Sequence, residues 1–113
     1  DGLMLVCEAE GKLAGNCQLD LNRWRKTRHR GQVAIALLKD YWGLGIGTAM
    51  FEEMIDKARQ EKLEQLELEV IEGNQRAIEL YHKMGFVCTG EKPNAIRLED
   101  GSSLKELMMV KVL

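Results

Sequence analysis

Val33-Ala34-Ile35-Ala36-Leu37-Leu38-Lys39-Asp40-Tyr41-Trp42-Gly43-Leu44-Gly45-Ile46-Gly47-Thr48 runs from an unbroken apolar segment, through alternate glycines, into an amphipathic one. The apolar run has the continuity of a buried strand, and the residues from Ile46 onward have helical spacing. The stretch is therefore a strand, a tight turn and a helix start. Glycine lets the backbone approach a ligand closely. The unpaired N–H groups at a helix N-terminus carry the positive end of its dipole, so the junction suits a phosphate or pyrophosphate. The dinucleotide pattern Gly-X-Gly-X-X-Gly fails, because its third glycine would fall on Thr48 counted from Gly43 and on Met50 counted from Gly45. No Gly-Lys-Ser/Thr follows either. Taken alone, the turn also admits a plain strand-to-helix connection with no ligand.

Upstream, residues 3–9 and 12–21 are extended segments rich in Leu, Val and Cys, separated by Glu10-Gly11, and should form a hairpin. Arg23, Arg25, Lys26, Arg28, His29 and Arg30 then crowd around Trp24 in a loop before the strand at 32–38. Downstream, Ile46, Met50, Met54 and Ala58 fall four apart with Ala49, Phe51 and Ile55 beside them, while Glu52, Glu53, Asp56, Lys57 and Arg59 stay polar. Leu66, Leu68 and Val70 alternate with Glu67, Glu69 and Ile71, the period of a half-buried strand. Asn74 suits a helix cap, Ala77, Ile78, Tyr81 and Met84 share one face, and Gly85 ends that helix. Residues 86–89 and 107–112 close the chain as strands, with Pro93 and Asp100-Gly101 marking turns between them. The order strand-strand-strand-helix-strand-helix-strand-strand predicts an α/β fold of the α+β kind, a mixed sheet with helices packed on it.

The 113 residues, 45% of them hydrophobic, suffice for one core and not two, so residues 1–113 are read as one domain. The chain opens on Asp1 rather than Met, which predicts an N-terminally incomplete domain. A net charge of -2 offers no field for nucleic acid or an anionic membrane, and no apolar run approaches the roughly 18 residues of a membrane span. Cys7, Cys17 and Cys88 form an odd set without metal-ligand spacing, which predicts a reduced, cytoplasmic setting, no metal, and cysteines packed as small hydrophobes.

The loop Trp42-Gly43-Leu44-Gly45-Ile46-Gly47 resembles the coenzyme A loop of the GCN5-related N-acetyltransferases, Gln/Arg-X-X-Gly-X-Gly/Ala. Asn74-Gln75-Arg76-Ala77-Ile78-Glu79-Leu80-Tyr81-His82-Lys83-Met84-Gly85-Phe86 resembles the same family's Asn-X-X-Ala-Ile-X-Leu-Tyr-X-X-X-Gly-Phe segment nearly position for position. The likeness runs from about Leu3 to the C-terminus. Trp42 replaces the usual Gln or Arg, and the family's first strand and first two helices, which form much of its acceptor wall, have no counterpart here.

The resemblance implies an acyl-CoA N-acyltransferase core that uses acetyl-CoA as co-substrate. It places the pyrophosphate at the loop of Trp42, Gly43, Leu44, Gly45, Ile46, Gly47 and Thr48, on the amides of residues 44–48. Pantetheine would run along the backbone of Ile35, Ala36 and Leu37, with Asn74 also touching the cofactor. An amine of pKa ~10 is nearly all protonated at neutral pH, so transfer needs a proton acceptor. By resemblance to the ribosomal-protein N-acetyltransferases of the family that acceptor is Glu69, directly or through water; relatives with a glutamate on the preceding strand are not matched, because Gln32 stands there. Backbone N–H groups of residues 33–38 would stabilise the oxyanion, and Tyr81 would hydrogen-bond the departing sulfur. Read without the resemblance, Glu69 is an ordinary strand glutamate and Tyr81 the aromatic of a buried helix face.

The expected partner is a small-molecule or protein amine, with a homodimer an open assembly state. The basic loop at 23–30 with Trp24 also admits a nucleic-acid patch, although the acidic remainder cancels its charge. The alternative function is an acyl-CoA-binding module without turnover, which Gln32 keeps open.

Overall fold

The computed structural model describes residues 2–9, 12–21, 25–37 and 45–113, with side chains from residue 15 onward except that of Leu37. Strands β1 (Gly2–Ala9), β2 (Lys12–Leu21) and β3 (Arg30–Leu37) are followed by helix α1 (Ile46–Gln60), β4 (Gln65–Ile71), α2 (Gln75–Lys83), β5 (Val87–Arg97) and β6 (Ser103–Val112). The six strands form one sheet in the order β1-β2-β3-β4-β6-β5. Only the β3/β4 pair is parallel; its neighbours run antiparallel, so the sheet is mixed, as the element order predicts. The parallel pair follows from α1, whose length lets the chain return to the same end of the sheet.

Side-chain alternation decides which face the helices cover. Leu66, Leu68 and Val70 are buried while Glu69 is exposed, and Leu66 and Leu68 join Cys17 and Leu19 of β2, Val33 of β3 and Met109 of β6 in one core. Helix α1 adds Met50, Phe51, Met54, Ile55 and Ala58, and α2 adds Tyr81. Each large apolar side chain buried this way contributes about 1.5–3 kcal/mol. Phe51 links the helices to the start of β5: its ring centroid lies 5.6 Å from Tyr81 and 5.7 Å from Phe86, both edge-on. The other face carries Gln18 and Asp20 of β2, Gln32 of β3, and Gln65, Glu67 and Glu69 of β4, which is why β4 reads as two unlike faces.

Asn74 caps α2 as expected, its Oδ1 accepting from Ala77 N at 3.4 Å. Gly85 ends the helix at φ 96°, a left-handed conformation that favours glycine, while Gly85 N donates to His82 O and Phe86 N to Tyr81 O.

Four expectations shift. The closing strands are longer than 86–89 and 107–112, because Pro93 lies inside β5 rather than in a turn. It falls where the β5/β6 register slips between Lys92 and Ile96, and β5 is a sheet edge, where a missing N–H costs no ladder bond. Asp100-Gly101 does turn the chain, with Asp100 Oδ1 accepting from Ser102. The strand read as 32–38 begins at Arg30 and is described to Leu37, with Leu38 outside the described residues. Ala49 is exposed on α1 rather than beside the apolar stripe. Cys17 is fully buried, with its thiol pushed up to about 12 by desolvation, but Cys88 is exposed, because β5 lies at the sheet margin; the side chain of Cys7 lies outside the described residues.

Candidate functional site

The β3/β4 ladder pairs only Arg30 with Gln65, Gly31 with Leu66 and Gln32 with Glu67, although β3 continues to Leu37 and β4 to Ile71. Beyond Gln32 the two strands part. On the helical side a cleft of about 550 Å³ adjoins the parting. Ile35 and Ala36 of β3, Gly45, Gly47 and Thr48 at the start of α1, and Asn74, Ala77 and Tyr81 from the second crossover all line it.

Three features fit this cleft to an elongated anion-bearing ligand. Gly45 precedes α1 at φ 79°, no side-chain hydrogen bond caps the helix and no acidic residue lies in its first turn, so among the described residues nothing compensates its N–H groups and dipole. Gly47 lets α2 come close: a Cβ there would lie 2.9 Å from Leu80 Cδ2. The margin of β3 that faces β4 lacks a ladder partner after Gln32, which leaves peptide groups for a ligand that carries amides. Lys83 Nζ lies 3.4 Å from Thr48 Oγ1, adding a cation on the same side.

Tyr81 is 7% exposed and borders both the cleft and the aromatic core. Burial, then the nearby Cys17 sulfur, raises its pKa, so its phenol keeps its proton through neutral pH and remains a donor. Asn74 lines the cleft while its Oδ1 caps α2, a role that leaves its amide N–H groups unspent.

Glu69 is elsewhere. It lines a second hollow of about 240 Å³ on the open face of the sheet, with Gln32, Glu67, Thr89 and Met108. Ile35 and Ala36 lie in the cleft, and Leu68 and Glu69 line the hollow, all just past the last β3/β4 pair, so the hollows approach the same parting from opposite faces. The pKa of Glu69 is raised, chiefly by a hydrogen bond with Glu106, then by burial and the charge of Glu106, with Lys92 opposing.

Of the residues read as a coenzyme A loop, Trp42, Gly43 and Leu44 lie outside the described residues, as does the side chain of Leu37. Ile46 packs against the core rather than lining the cleft. Arg76, Glu79, Leu80 and Lys83 line the cleft without having been singled out. Their spacing of three, one and three along α2 marks one helical face, the signal that could have found them. The basic stretch is a turn over 25–29 with Arg25, Lys26 and Arg28 exposed; Trp24 lies outside the described residues. Among the described residues no cluster of three or more His, Cys, Asp or Glu is placed to hold a metal, and no helix is long and apolar enough to cross a membrane.

A mixed sheet whose one parallel pair parts above a glycine-led helix N-terminus defines an acyl-CoA N-acyltransferase fold. Residues 1–86 match the model of the acetyltransferase (GNAT) family. The chain is 36% identical over 85 residues to an uncharacterized N-acetyltransferase of Methanocaldococcus jannaschii, a match that takes in 72% of this chain and 37% of the relative. Its structure resembles that of a GNAT-family acetyltransferase from Streptococcus pneumoniae with a TM-score of 0.93 and 31% identity, covering 99% of this chain and 67% of that one. It also resembles the ribosomal-protein-alanine N-acetyltransferase of Brucella melitensis, with a TM-score of 0.85 and 28% identity over 97% of this chain and 68% of that one. The chain belongs to the GNAT acetyltransferase family.

Proposed function

We propose that the protein transfers the acetyl group of acetyl-CoA to a primary amine by direct attack in a ternary complex. The observation that carries this reading is the cleft, which gathers a glycine-led helix N-terminus, a strand margin without ladder partners and a buried tyrosine at one parting of the sheet. Acetyl-CoA supplies the activated acyl group. The amides from Gly45 to Thr48 and Lys83 hold its phosphates, and β3 pairs with its amides at Ile35 and Ala36. Glu69 takes the extra proton of the ammonium form, and the neutral nitrogen then attacks the carbonyl carbon. As the carbon–sulfur bond breaks, Tyr81 gives its proton to the sulfur, the nitrogen loses its second proton, which reaches Tyr81 through water, and Glu69 releases its own to solvent. The products are an amide, free thiol and one proton.

The similarity to a ribosomal-protein-alanine N-acetyltransferase puts the amine of a protein alanine among the acceptors to try. Thiol release from acetyl-CoA, measured against a peptide N-terminus, lysine, a polyamine, a free amino acid and an aminoglycoside, should rise above hydrolysis with at least one class. Coenzyme A binding with no amine-dependent release from any of them would favour the binding module without turnover.

A further inference from the structure

Beside Glu69 on the open face of the sheet stands a second carboxyl group, that of Glu106, which the proposed chemistry leaves without a role. Across the β4/β6 ladder Glu69 is opposite Met108 and Ile71 is opposite Glu106, so Glu69 and Glu106 stand diagonally on the same face of the sheet. Such diagonal neighbours are within reach of long side chains. Glu106 is the largest influence raising the pKa of Glu69, through a side-chain hydrogen bond that two carboxyl groups can make only when one of them carries a proton. Lys92 is opposite Glu106 on β5, and its Nζ lies 3.8 Å from Glu106 Oε1.

Among the described residues, the remaining charged groups on this face are engaged elsewhere or lie further off. Glu67, two residues from Glu69 on β4, is held by Arg30 Nε of β3 at 3.3 Å and by Gln65 Nε2 at 2.7 Å. Asp20 of β2 accepts from Gln18 at 2.8 Å and lies opposite Gln32, one strand beyond. Glu106 is therefore the anionic group positioned to act on Glu69, and Lys92 is its counterweight.

We propose that Glu106 is a positioning residue for Glu69: anchored by Lys92, its carboxyl shares one proton with that of Glu69 and so sets the pH at which Glu69 is free to accept a proton from the amine. The inference rests on the role proposed above for Glu69. At low pH the pair holds its proton and Glu69 accepts none. Once the pair has lost it, two adjacent negative charges repel, and a proton taken from the amine relieves that repulsion by returning to the shared position. A lone strand glutamate would lack this gain. The raised pKa of Glu69, caused first by Glu106, agrees with the geometry.

The test follows the Glu69 carboxyl by carbon-13 NMR across pH in the intact protein, beside the pH profile of kcat/KM. Glu106→Gln keeps a hydrogen-bonding side chain but removes the charge. It should lower the Glu69 midpoint, because the hydrogen bond and charge that raise it come first from Glu106. The acid limb of the profile should move with it, and coenzyme A affinity should stay constant. Lys92→Met should move both the midpoint and the limb upward, and Glu106→Asp should keep them near wild type. A Glu69 midpoint unmoved by Glu106→Gln overturns the shared proton. Should that variant not fold, a midpoint left in place or lowered by Lys92→Met does the same. A midpoint that moves while the acid limb stays fixed overturns the positioning role through its premise: the pair exists, and Glu69 is not the base.

Discussion

Tyr81→Phe should lower turnover about 10²-fold while the melting temperature barely changes. Phenylalanine keeps the ring that packs edge-on against Phe51 and tilted against Phe86, and it deletes only the hydroxyl. The size of the loss follows from the leaving group. Losing a general acid costs about 10² to 10⁴ in rate, and a thiol of pKa ~8.5 departs fairly well unaided, which sets the lower end. Burial raises the tyrosine pKa, so the protonated donor persists across the neutral range and the difference should hold at every pH from 6 to ~9. Thiol release and a melting curve check it together. Unchanged turnover would leave Tyr81 a member of the aromatic core and nothing more.

Glu69→Gln should cost about 10²- to 10³-fold in turnover at neutral pH, within the range for loss of a general base, and leave coenzyme A affinity intact. The second half follows from placement, since Glu69 lines the hollow on the open face and not the cleft. The raised pKa fixes the pH dependence. Catalysis needs the carboxylate, so the rate should climb as pH rises through the folded-state value, which lies above the ordinary carboxylate range of about 4.3. Stability runs the opposite way. An acid whose folded pKa is raised holds its proton more tightly when folded, so Glu69 favours the folded state most at low pH, and that contribution is lost as pH rises through the same window. A pH-rate profile of Glu69→Gln that overlays the wild type would move the base elsewhere.

Much of the fold follows from short-range patterns. The alternation of Leu66, Leu68 and Val70 with glutamates tells a strand with one covered face, and the four-residue spacing through Met50 and Met54 tells a helix, because each period is set by its own backbone geometry. Asn74 and Gly85 bound α2 by chemistry local to their own turns. Pro93 misled for the converse reason: proline breaks a ladder only where its N–H would have been used, and that depends on β5 being an edge, a fact about distant strands. Cys88 misled similarly, since its burial depends on how far the helices extend over the sheet.

The cleft was legible wherever glycines and a helix start announce it, as at Gly45 and Gly47. What could not be read is which groups share a face across strands far apart in sequence. Glu69 and Glu106 are 37 positions apart and meet only through the β4/β6 register, and the parting of β3 from β4 is visible only as a ladder that stops at Gln32.

The central claim, that coenzyme A binds with its phosphates at the start of α1, is tested most directly by calorimetric titration of coenzyme A into the wild type, Gly45→Ala and Gly45→Glu. Both substitutions place a side chain at φ 79°, where any L-residue is strained by roughly 1–2 kcal/mol, and neither Cβ meets an atom of the described residues within 4 Å, so they share the same backbone cost. Only glutamate adds a negative charge and reaches toward the helix N-terminus. Gly45→Glu should weaken binding more than tenfold relative to Gly45→Ala, at least about 1.4 kcal/mol. Equal affinity of the two folded variants for coenzyme A would contradict the assignment.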